Sequence, residues 1–153
     1  MEYIKLQKKI LDNFIKNNHE FNSQVVDDLV YVMDNRHQIF VFPKDEFYLD
    51  LTKLMDGKDS INFKKFFDIE GEDGVLTGEM KIVGKNITVV KIKSEKNHSW
   101  VDKKLLDRWG IKHELHFTVP PSTKHPLLVW EDEMLCGVIL PVYVKEDDNN
   151  ATI

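Results

Sequence analysis

The run from Met134 to Val144, MLCGVILPVYV, constrains the chain most. It is apolar at consecutive positions, so a strand here needs cover on both faces. Pro141 interrupts it, and proline has no N–H to give a ladder. The run therefore reads as a closing strand at a sheet edge, where Pro141 costs little and blocks further strand addition. Two earlier stretches belong with it. ELHFTV alternates with Leu115, Phe117 and Val119 inward and Glu114, His116 and Thr118 outward, and PLLVWED is apolar on both faces.

Upstream, EYIKLQKKILDNFIKNN sets Tyr3, Leu6, Ile10, Leu11 and Phe14 at helical spacing, with Lys5, Lys8, Lys9, Asp12 and Lys16 on the other side. From Val25 the pattern shortens to three strand-like runs, DDLVYVMD, QIFVF and EFYLDL, with turn residues between them. A loop-rich stretch follows, with a strand expected near Ile61 to Phe67, and then a hairpin of GEMKIVG and NITVVKIKS about Lys85 and Asn86. A second helix is expected in SWVDKKLLDRWG. Ser99 and Asp102 resemble a capping box, Val101, Leu105, Leu106 and Trp109 form the inner face, and Gly110 ends it.

The order predicts an α+β fold. Each of two units is a helix followed by a three-strand meander, an internal duplication that lays both helices on one face of antiparallel sheet. With 153 residues, the chain has room for one domain, expected over residues 1–145. The acidic tail 146–153 is expected to be disordered. The opening residues form no basic-then-apolar leader, and no apolar stretch nears the ~20 residues that span a bilayer, so a cytoplasmic, membrane-free protein is expected.

Sites of chemistry are scarce. The seven glycines form no phosphate loop. His113 and His116 lie three apart on an expected strand and point to opposite faces, so no metal site and no cofactor are expected. Asp68, Glu70, Glu72 and Asp73 lack the spaced series of a calcium loop and read as a solvated loop. Cys136 reads as a free buried thiol. The expected protein is not an enzyme. At a net charge of −5, DNA association needs a local basic patch, and the helix faces offer one in Lys5, Lys8, Lys9, Lys16, Lys103, Lys104 and Arg108. Nineteen of the 21 basic residues are lysine, which suits non-specific contact with the backbone of double-stranded DNA better than base readout.

From Trp100 to Val144 the chain resembles the last domain of the bacterial DNA sliding clamp, the DNA polymerase III beta subunit. The resemblance is carried by an ordered set: Lys104-Leu105-Leu106-Asp107, Glu114 to Thr118, His125-Pro126-Leu127-Leu128-Val129, Glu131-Asp132-Glu133 and Val138-Ile139-Leu140-Pro141-Val142. It implies a clamp-like domain in DNA replication whose closing strand, through Val138, Leu140, Pro141 and Val142, helps capture short linear peptides of polymerase-type partners. Clamp subunits have three such domains; this chain has room for one, so a ring would need a homo-oligomer of about six copies. Ser99-Trp100 and Tyr143 also depart from the family's pattern. The alternative is a structural or interaction protein of a phage or mobile element that reuses the fold for oligomeric assembly without DNA.

Overall fold

The computed structural model describes residues 1–17, 21–34, 37–49, 63–110 and 114–145. The elements are α1 (Tyr3–Asn17), β1 (Phe21–Val26), β2 (Leu29–Asp34), β3 (Gln38–Pro43), β4 (Glu72–Val83), β5 (Ile87–Lys93), β6 (His98–Asp102), α2 (Lys103–Asp107), β7 (Leu115–Val119), β8 (Leu127–Glu131) and β9 (Met134–Ile139). Two 3-10 turns lie at Lys44–Glu46 and Phe63–Phe66. The described strands form one sheet in the order β1-β2-β3-β9-β8-β7-β4-β5-β6, with every neighbouring pair antiparallel.

The expected α+β class holds, and each helix is followed by an antiparallel three-strand meander: β1-β2-β3 after α1, and β7-β8-β9 after α2. The two meanders join where Gln38, Ile39 and Phe40 of β3 face Ile139, Val138 and Gly137 of β9. The helices are unequal, 15 residues against five.

Beyond β9 the chain changes partner. Leu140 N–H still donates to the carbonyl of His37, 3.0 Å away, whereas Val142 N–H donates to the carbonyl of Trp100 at 2.7 Å, and Pro141 bridges Val101 of β6. Residues 140–142 thus close β4 to β9 into a ring of six strands.

This corrects the expectation for Pro141. It does not lie on an edge strand, because β9 is flanked by β3 and β8. Successive N–H groups along a strand alternate sides, so the missing N–H of Pro141 faces away from β6. The β8 ladder begins only at Leu127, opposite Ile139. No ladder bond is therefore lost.

Apolar residues fill both faces of the central strands. Tyr3, Leu6 and Ile10 of α1 pack with Phe40, Phe42, Leu106, Trp109, Phe117 and Ile139 in the main core. Behind it, Tyr31, Met33, Ile39, Val41, Leu128 and Val138 pack with Phe63 of the second 3-10 turn. Side chains such as Phe40 and Phe117, with no exposed surface, each contribute about 2–3 kcal/mol relative to solvent exposure.

Four local expectations are corrected. EFYLDL is not a strand up to Leu49: after the 3-10 turn, Gln7 takes the place of a ladder, its Nε2 donating to the Glu46 carbonyl at 2.7 Å and its Oε1 accepting from Tyr48 N–H at 2.8 Å. The expected strand near Ile61 to Phe67 is a 3-10 turn from Phe63; its first two residues, like the tail 146–153, lie outside the described residues. The acidic run expected to be a solvated loop is one only in part: Asp68 and Glu70 are exposed ahead of β4, whereas Glu72 and Asp73 begin that strand. Glu72 accepts from Ser94 Oγ, Lys96 N–H and Asn97 Nδ2 and so ties down the β5–β6 connection. Finally, Ser99 is not a helix cap but a buried residue of β6. Asp102 caps α2, accepting from Lys104 N–H at 2.8 Å.

Candidate binding groove and basic helix face

Strand ends converge on a groove of about 720 Å³. Phe66 and Ile69 form one wall, Pro120 and Pro121 after β7 and Pro126 before β8 form the other, and Leu140 enters from the end of β9. Lys65, Asp68, Glu70 and His125 lie around them. Gly71 permits the close approach of the first wall, since a Cβ there would strike the carbonyl of Val119. The volume is within the range of small-ligand and peptide pockets.

Of the four closing-strand residues, only Leu140 lines this groove. Val138 is buried in the core behind β9. Pro141 and Val142 are half-buried where the ring closes on β6. The proline wall was not singled out in the sequence. Its signal is PPSTKHP after β7, where three prolines within seven residues fix a rigid apolar surface.

The basic residues divide into two groups. Lys5 pairs with Glu2 at 2.7 Å, Lys103 with Asp107 at 2.7 Å, and Arg108 Nη1 donates to Gln38 Oε1 at 3.2 Å. Lys8, Lys9, Lys16 and Lys104 are exposed. Lys9 Nζ reaches the carbonyl of Arg108, just past the end of α2, 3.4 Å away.

Other groups offer little reactive chemistry. Burial, followed by the charge of Glu131, pushes the Cys136 thiol up to about 11. Among the described residues, no group of three or more His, Cys, Asp or Glu side chains is placed to hold a metal ion. No described helix is long and apolar enough to cross a membrane. No family model, curated protein or solved structure matches the chain.

Proposed function

We propose that this chain is a non-enzymatic accessory domain of clamp-like, duplicated design that holds a short apolar peptide segment of a partner protein at Leu140. The observation that carries the reading is the convergence of Leu140, Phe66 and Ile69 with three prolines on one groove. Proline walls lose little conformational freedom on binding, so the groove is preorganised. Asp68 and Glu70 at its margin favour a basic residue beside the apolar anchors. Panning a displayed library of nine-residue peptides should enrich apolar sequences with a flanking Lys or Arg, and Leu140→Asp should abolish the enrichment. No enrichment, or enrichment indifferent to Leu140→Asp, would remove this reading.

The exposed Lys8, Lys9, Lys16 and Lys104 support a second reading, non-specific association with double-stranded DNA through the basic helix faces. Such binding is weak, and its affinity falls steeply as salt displaces the lysines from phosphate. Charge reversal at Lys8 and Lys104 together should abolish it. Absence of binding to a duplex at low salt would leave the peptide groove alone. If the chain takes neither peptide nor DNA yet self-assembles, the assembly alternative stands.

A further inference from the structure

The groove opens where β8 and β9 cease to be neighbours. Their ladder begins with Leu127 opposite Ile139, so the next pair outward would set Pro126 against Leu140, and the one after it His125 against Pro141. None of these four residues can donate across. The prolines have no N–H, Leu140 N–H is turned to the His37 carbonyl at 3.0 Å, and His125 N–H goes to the Ser122 carbonyl at 3.3 Å. The two strands therefore fork, and Pro126 and Leu140 line the groove from opposite prongs.

The prong that carries Leu140 is pinned from the other side of the sheet. Val142 N–H donates to the Trp100 carbonyl at 2.7 Å, and Pro141 bridges Val101 of β6. The unit Leu140-Pro141-Val142 is stiff, because the ring fixes φ of Pro141 and a residue before proline is confined to extended backbone. The place of Leu140 is thus set at both ends, by His37 on one side and by Trp100 on the other.

We propose that residues 140–142 act as a strap: the bond from Val142 to β6 holds Leu140 where it completes the groove, so that a bound peptide and the closed strap stabilise each other. This rests on the reading of the groove as a peptide site. A peptide that packs on Leu140 needs that side chain in place, so its apparent affinity falls with the fraction of chains whose strap is closed. By reciprocity, the bound peptide keeps the strap closed. Val142 lies outside the groove, half-buried against β6, and is a positioning residue that acts through its backbone N–H.

Hydrogen exchange of the unaltered full chain tests the strap without a peptide. The amides of Leu140 and Val142 should open together, with equal protection that urea erodes in parallel. A Leu140 amide that stays protected while Val142 exchanges freely would overturn the proposal, since His37 alone would then hold the strand. The second arm uses a nine-residue peptide enriched by panning on the groove. Val142→Pro removes the N–H and should weaken that peptide by about fivefold or more, the worth of one backbone hydrogen bond. Val142→Ala keeps the N–H and should bind it like the unaltered chain. Undiminished binding by Val142→Pro, or an equal loss in both variants, would overturn the proposal. Saturating peptide should also slow exchange at both amides of the unaltered chain, and unchanged exchange at Val142 overturns it even where the proline variant folds poorly. If panning enriches no peptide, the reading of the groove falls, and the peptide-free exchange at Leu140 and Val142 decides the strap alone.

Discussion

His116 sets its Nδ1 2.7 Å from Oδ1 of Asp73. Its Nε2 lies 2.6 Å from the backbone carbonyl of Asp132, and the ring stacks on Trp130. A carbonyl only accepts, so Nε2 must carry a proton; the carboxylate is satisfied only when Nδ1 carries one too. Both contacts are filled by the imidazolium, which ties the start of β4 to the β8–β9 turn.

The Asp132 carbonyl and, after it, the Asp73 carboxylate hold the His116 pKa above its ordinary 6.5, against the opposing effect of burial. A raised folded pKa gives stability that is fully present below 6.5 and lost as pH rises through the folded value. Urea midpoints should therefore fall with rising pH more in the unaltered chain than in His116→Gln. Parallel pH profiles for the two proteins would contradict this.

Gly137→Ala should destabilise the protein by about 1–3 kcal/mol, the usual cost of overpacking. A Cβ there would collide with the Ile39 carbonyl and the Trp109 ring. The indole cannot easily retreat, because its Nε1 donates to the Cys136 carbonyl at 3.2 Å. Chemical denaturation gives the number, and loss of near-ultraviolet tryptophan signal should accompany it.

Gln7→Leu keeps the helix former and the volume but strips three hydrogen bonds, to the carbonyls of Tyr3 and Glu46 and from Tyr48 N–H. Leaving such groups without partners costs about 1–3 kcal/mol. Residues 46–48 should exchange amide hydrogen faster in the variant, a local effect that a uniform loss of stability would not give.

Cys136 is buried and its pKa is pushed up to about 11, so little thiolate exists at neutral pH. Native protein should react with a disulfide reagent only on the timescale of unfolding. Prompt stoichiometric labelling would show that the site is open.

The alternating pattern of β7 was legible because one face meets the core and the other does not: Leu115, Phe117 and Val119 are buried, and His116 and Thr118 are half-exposed. β1 was missed since the middle of FNSQVV, Asn22-Ser23-Gln24, is polar, and its pairing with β2 supplies what its composition does not. β6 was read as helix because Val101 and Trp109 fit helical spacing with Leu105. The register of Val89 to Lys93 against His98 to Asp102 overrides that local pattern. Leu140 was singled out, with Val138, Pro141 and Val142, only through the family resemblance, and of the four it alone lines the groove. The walls around it were not, because they come from separate stretches joined only by the fold.

The placement of β9 between β3 and β8 has a consequence for how the molecule assembles. The first meander can form early, yet β3 meets its second neighbour only when a strand from the far end of the sequence arrives. The six-strand ring likewise stays open until residues 140–142 reach β6. Such distant pairings give a high contact order and slow folding. Until they form, the edges of β3 and β6 stand exposed together, an interval in which the newly made chain depends on dilution or a chaperone to stay apart from its neighbours.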